Sequence, residues 1–202
     1  MLASAIFKPG KTMRGLLKMQ HPARPASLAV GGVGFLYIVT SAVLAVAGAS
    51  PTAPVFFGMD VDNYYFWQMI FVLPMILAAW FVSAAVIRIL DGREKDRPGF
   101  GGTAALAGVA LSSVLFLAWI PSAAEAAFMA FGMSQGEWVG LLSNPGPWQT
   151  AYLVPYGVAV ALALRNFMLA ARLLRGKPGA VAIMPGIVAA AVAIGVFIAF
   201  IR

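Results

Sequence analysis

Five apolar runs, set apart by short charged or turn-rich segments, constrain this chain more than any other feature. They cover 27–49, 64–90, 103–125, 148–170 and 180–201. A helix that crosses about 30 Å of hydrocarbon needs roughly 20 predominantly apolar residues, and each run meets that length. The rest of the composition agrees: 61% of the 202 residues are hydrophobic, 10% are charged, and the mean hydropathy is +0.88. So little polar surface cannot cover a water-soluble globule of this size. The expectation is an all-α polytopic membrane protein, a bundle of five transmembrane helices preceded by a basic segment at 1–26, with no separate soluble domain.

Where the charges fall gives the bundle a direction. Lys8, Lys11, Arg14, Lys18 and Arg24 precede the first run. Arg88, Arg93, Lys95 and Arg97 border the connection between the second and third, and Arg165, Arg172, Arg175 and Lys177 that between the fourth and fifth. With five spans, thirteen of the fourteen basic residues share one side with Asp91, Glu94 and Asp96, a net +10. Arg202 shares the other with Asp60, Asp62, Glu125 and Glu137, a net −3, which accounts for the overall +7. The positive-inside rule then predicts a cytoplasmic N-terminus, an outside C-terminus and an odd number of spans. In a soluble protein +7 would point to nucleic acid; here the charge is topogenic and no nucleic-acid partner is expected.

A cleaved signal peptide would be the rival reading of the first run, since Ala45-Val46-Ala47 and Ala47-Gly48-Ala49 resemble small-residue cleavage sites. The run exceeds the 7–15 residues of a usual signal core, so a retained span is expected. Tyr64, Tyr65, Trp67, Trp119, Trp138, Trp148 and Tyr152 cluster near the outer ends of the runs and read as an interfacial aromatic belt. Pro74, Pro121, Pro155 and Pro185 lie inside runs and predict kinks. Gly31, Gly32 and Gly34 in the first run, with Gly186, Ala190 and Ala193 in the last, offer faces for close helix packing.

Candidate functional residues are few. The chain has no cysteine, which removes disulfides, thiolate metal sites and cysteine nucleophiles. A single histidine, His21, beside Pro22, makes neither a zinc site nor a haem pair. Without a nucleophile–base pair, an intramembrane carboxylate pair or a phosphate loop, no enzymatic activity and no cofactor or metal is expected. Lys8, Lys11, Arg14, Lys18, Arg172, Arg175 and Lys177 are the candidate contacts to anionic lipid headgroups. Leu2, Ile6, Phe7, Met13, Leu16 and Leu17 among the N-terminal cations allow either an interfacial helix or a solvated charge run. Glu125 and Arg165 are the ionisable groups nearest the membrane interior, near its outer and inner boundaries, and read as interfacial anchors or as functional polar positions. The hydroxyls of Thr40, Ser41, Ser83, Ser112, Ser113 and Tyr156 lie deeper and are expected to bond helix to helix or back to their own backbone.

The basic stretch IFKPGKTMRGLLKMQHPAR, the layout of five spans, the long second span ending at a short Gly-containing loop, and RLLRGKPGAVAIMPGIV leading into the last span together resemble the bacterial branch of the Yip family. Its eukaryotic members are five-span proteins of the early secretory pathway that associate with Rab-type GTPases. The family's acidic DLxGP segment is absent, and AGVALSSVLFLAWIP, over 107–121, lacks the tyrosine of the GYxxxP-like element, so no GTPase-contacting residue carries over. The resemblance implies a non-enzymatic scaffold, adaptor or accessory subunit in a bacterial inner membrane, with other integral membrane proteins and the bilayer as partners. The alternative is a small transporter or channel whose site lies between the kinked helices near Pro74 and Pro155.

Overall fold

The computed structural model describes residues 2–51, 61–91, 98–175 and 183–201, and within these the regular structure is helical throughout. Two short helices come first, α1 (Leu2–Phe7) and α2 (Pro9–Leu17). Four long ones follow with a short one among them: α3 (Ala23–Val46), α4 (Tyr64–Asp91, entered through a 3-10 turn at Val61–Asn63), α5 (Phe100–Ala130), α6 (Gln135–Ser143) and α7 (Pro147–Arg175). The last, α8 (Met184–Val196), passes into π-helical geometry at Phe197–Ile201.

The helices α3, α4, α5 and α7 are long and apolar enough to cross a membrane, and α8 is a shorter apolar helix. The long helices overrun the expected spans. α3 starts at Ala23, inside the segment read from sequence as a lead, because Arg24 and Ser27 fit a first helical turn and Ser27 Oγ donates back to the Arg24 carbonyl at 2.8 Å. α5, at 31 residues, is about 46 Å long, which exceeds the hydrocarbon thickness. It ends as α3 does: Gly132 and Gly48 take positive φ, and Met133 N–H and Ala49 N–H reach back to the Phe128 and Leu44 carbonyls. This is the glycine-terminated helix end that satisfies the last carbonyls. Pro185 is not inside a span; it occupies the first turn of α8, where its missing N–H breaks no helical bond.

Helix α5 forms the centre. It packs against α3, α4 and α7, while α8 fills the space between α4 and α7. From Gly102 to Leu115 every residue of α5 is buried, as expected for a helix apolar on all sides. Its small residues let neighbours come close. At Gly108 an added Cβ would lie 2.8 Å from Trp80 Nε1 and 3.1 Å from Ala26 Cβ, so α3, α4 and α5 meet over a glycine. There Trp80 also donates from Nε1 to the Ala104 carbonyl at 2.7 Å. A second such approach is Gly186, whose missing side chain would fall on the backbone of Phe167 and Met168. Gly31 and Gly32 meet nothing within 4 Å of an added Cβ, so they do not form the close-packing face expected of them.

Candidate functional site

Polar chemistry gathers at the two ends of the bundle. At the basic end, α1 and α2 fold back against α5 and α7. Proline at the start of α2 fits its first turn. The helix then buries Met13 and Leu16 in the main core, together with Ala5 of α1, and leaves Lys11, Arg14 and Lys18 exposed. An added Cβ on Gly10 would lie 3.7 Å from Leu169 Cδ2 of α7, and one on Gly102 of α5 3.5 Å from Leu17 Cδ2. The N-terminal segment is therefore a helix pair docked through Ala5, Met13 and Leu16, while Phe7 and Met19 stay exposed.

Arg165 fastens this pair. Its guanidinium donates to the Ile6 carbonyl near the C-terminus of α1 at 2.6 Å, where a cation also meets the negative end of the helix dipole. Its Nε donates to Asn166 Oδ1 at 2.9 Å, and Asn166 Nδ2 donates to Ser113 Oγ at 2.9 Å, which in turn donates to the Ala110 carbonyl at 2.8 Å. Asn166 and Ser113 are fully buried. This chain of bonds ties α1, α7 and α5 together. Of the expected headgroup contacts, Lys8, Lys11, Arg14, Lys18 and Arg172 are exposed and Arg175 is half-buried near Leu90; Lys177 lies outside the described residues. Arg88, near the C-terminal end of α4, donates to the Pro98 carbonyl at 2.8 Å.

At the opposite end stands Glu125, 2% exposed and thus no interfacial anchor. Tyr65 of α4 lies within electrostatic reach of Glu125 of α5 and of Tyr64, Tyr152 and Tyr156, so groups from α4, α5 and α7 meet around this phenol. Tyr64 and Tyr65 stand edge-on at 5.2 Å, Tyr152 and Tyr156 at 5.6 Å, and Trp138 of α6 closes on Tyr152 at 5.8 Å. Four of the seven residues of the expected aromatic belt have turned inward: Tyr64, Tyr65, Trp138 and Tyr152 are buried, Trp119 is half-buried, and Trp67 and Trp148 remain exposed. A buried carboxyl demands hydrogen-bonding or polarisable neighbours, and phenols supply both. Gln68, which nothing in the sequence marked beyond its spacing of four from Tyr64, continues the cluster to α3. Its Oε1 accepts from Ser41 Oγ at 2.8 Å, and its Nε2 reaches the Tyr64 hydroxyl at 3.5 Å.

Helix α6 covers this end through a capping box. Ser134 N–H and Oγ donate to Glu137 Oε2 at 2.8 and 2.7 Å, and Glu137 N–H donates back to Ser134 Oγ at 3.3 Å. The side-chain and then the backbone bond from Ser134 hold the Glu137 carboxyl below its ordinary value. Deeper hydroxyls behave as expected: Ser112 and Ser113 bond within α5, Ser83 reaches the Ala189 carbonyl of α8, and Thr40 accepts from Trp119 Nε1 at 2.8 Å. Among the described residues no group of three or more His, Cys, Asp or Glu could hold a metal ion.

Compared with protein families, curated proteins and solved structures, the chain matches none.

Proposed function

We propose that this chain is a non-enzymatic scaffold or accessory subunit of a bacterial inner membrane. It has five spans, N-terminus in the cytoplasm and C-terminus outside, and acts by holding other membrane proteins and anionic lipid. The observation that carries the reading is the docked α1–α2 pair. Its Ala5, Met13 and Leu16 are buried against the bundle, while Phe7, Lys8, Lys11, Arg14 and Lys18 stay exposed at the end that also carries Arg172. A folded basic platform fused to a membrane bundle supports contact with an anionic leaflet and with partners at its surface, each nearby cation contributing about 1 kcal/mol to lipid attraction. The Yip resemblance accords with a role of this kind.

The absence of cysteine makes the topology directly testable. Gln20→Cys and Ser134→Cys, introduced singly, are exposed to a membrane-impermeant maleimide on intact cells. Ser134→Cys labels at once and Gln20→Cys only after permeabilisation; the reverse pattern overturns the orientation, and equal exposure of both overturns the three crossings between these two positions. For the adaptor role, the protein is purified from native membranes in mild detergent beside a variant with Lys8, Lys11, Arg14 and Lys18 changed to Glu. Wild type brings down companion membrane proteins that the variant loses. Recovery of the wild type alone, with every membrane complex intact after deletion of the gene, refutes it. A transporter is the second reading, favoured by a cavity beside Pro155 that reaches Tyr156. Its otherwise apolar lining argues against a polar solute.

A further inference from the structure

One face of α7 changes character along its length. Val154, Val158, Ala161, Arg165 and Arg172 follow one another at helical spacing and so share one side of the helix; all five are exposed. The strip is apolar at first and turns cationic where α1 and α2 dock. There Arg165 holds the Ile6 carbonyl, which brings Phe7, 78% exposed, to the same edge. One turn further on, Leu169 reaches α2. The space that a side chain on Gly10 would fill is bounded by Leu169 Cδ2 at 3.7 Å and by Arg14 Nη2 at 3.5 Å. The Arg14 guanidinium therefore lies back over Gly10, within about 7 Å of Leu169. Lys11 follows Gly10 on α2, Arg172 lies one turn beyond Leu169 on α7, and both are exposed. Residues 1–59 and 138–202 contain no aspartate or glutamate, so neither α2 nor α7 supplies a counter-charge to these cations.

We infer that this seam holds one anionic phospholipid of the phosphatidylglycerol class. Its phosphate lies between Lys11 and Arg14 of α2 and Arg172 of α7, and one acyl chain runs along Ala161, Val158 and Val154. The inference rests on the proposed contact of the basic end with an anionic leaflet and goes further, from attraction spread over a surface to one lipid at one seam. Cations contributed by two helices, with no carboxylate on either, call for an anion, and a guanidinium fork bonds two phosphate oxygens at once. A zwitterionic head would bring an ammonium of its own to these fixed cations and is disfavoured. The apolar strip selects a lipid over other anions. From Val154 to Arg165 it runs about 16 Å, half of the roughly 30 Å of hydrocarbon and so the reach of a chain from one leaflet. A soluble anion or an acidic peptide has no use for that strip, nor for the exposed ring of Phe7 beside it.

The test uses the full chain in nanodiscs of equal phosphatidylethanolamine and phosphatidylglycerol, with lipid retained after transfer to mild detergent counted by native mass spectrometry. Wild type retains a single phosphatidylglycerol. Arg14→Gln and Arg172→Gln each weaken its retention about tenfold, a 1.4 kcal/mol difference, as loss of a charge-assisted bond requires. Arg24→Gln, at an exposed position in the first turn of α3, removes the same charge away from the seam and leaves retention unchanged. Ala161→Phe keeps every cation but fills the strip, and it too weakens retention; inorganic phosphate in excess does not displace the lipid. Melting followed by tryptophan fluorescence confirms that each variant is folded. Equal losses from Arg14→Gln, Arg172→Gln and Arg24→Gln reveal attraction without a site and overturn the seam, as does full retention by both seam variants. Full retention by Ala161→Phe, or displacement by phosphate, overturns the lipid in favour of a free anion or an acidic segment of a partner, and equal retention of both lipids by wild type overturns the choice of head. Nanodiscs offer phosphatidylglycerol on both faces, so the result does not depend on the orientation read by maleimide, and companion proteins are read in the separate purification; the seam and the proposed function therefore fail separately.

Discussion

Replacing Gly186 by alanine tests the packing of α8 on α7 at its tightest point. The new methyl would sit 2.6 Å from Met168 N and Cα and against the Phe167 carbonyl oxygen. All three are backbone atoms within α7, so no side chain can rotate away. Ordinary contact begins near 3.4 Å, and relief therefore requires α8 to move outward by roughly 1 Å. A gap of that size forfeits a quarter to a half of the dispersion energy at each contact along the seam, which includes Ala189, Ala190 and Ala193, all buried. Overpacking of this kind costs about 1–3 kcal/mol, and the rigid neighbour places it near 3. The better helix propensity of alanine returns at most about 1 kcal/mol, leaving a net loss of about 2. For a chain of this size that lowers the melting temperature by roughly 4–8 °C. The assay is thermal unfolding in mild detergent followed by the fluorescence of the five tryptophans. Gly32→Ala, where an added Cβ meets nothing, serves as the reference and is neutral or slightly stabilising. If Gly186→Ala melts at or above the wild-type temperature while Gly32→Ala behaves as stated, α8 does not cross α7 at this residue and the packing argument fails.

Arg165→Ala removes the donor to the Ile6 carbonyl and frees α1, with a loss of about 1 kcal/mol because the group is exposed; limited trypsin digestion shows it as faster cleavage at Lys11 and Arg14. Asn166→Leu leaves Arg165 without its side-chain acceptor and Ser113 Oγ without its donor, lowering stability by about 1–3 kcal/mol, read as a drop in melting temperature; an unchanged value contradicts the buried network. Glu137 has its carboxyl held below its ordinary value of 4.5 by Ser134, so its contribution to α6 is fully present above that value and is lost as pH falls through the lowered one. The protection factors of the α6 amides, corrected for the intrinsic exchange rate at each pH, therefore fall in acid in the wild type. Glu137→Gln, which preserves the capping box without titrating, removes that pH dependence.

The helical class, the approximate spans and the asymmetry of charge were legible because they follow from one-dimensional quantities. Runs of apolar residues report how much chain hydrocarbon will accept, and cations report where they stop. The four long helices lie where the apolar runs do, differing mainly at their ends, which glycine turns and the Ser27 hydroxyl define. The roles of single residues were less legible. Arg165 and Glu125 stand out in the sequence as charges near apolar runs, yet their meaning depends on what folds against them: the carbonyl of Ile6, 159 positions away, and phenols contributed by α4 and α7.

By itself the sequence determined that this chain is a set of apolar helices with a strongly basic set of connections, since length, hydropathy and charge spacing need no partner to be read. Tertiary structure alone decided that α5 is the centre, that α1 and α2 dock against the bundle, and that Tyr64, Tyr65, Tyr152 and Glu125 are buried. The physical reason lies in the solvent. In water an amphipathic pattern separates the buried face of a helix from the exposed one, whereas in lipid both faces are apolar. Which face meets a neighbour is then settled by shape, through glycine and alanine at the crossings and through polar groups that must find each other.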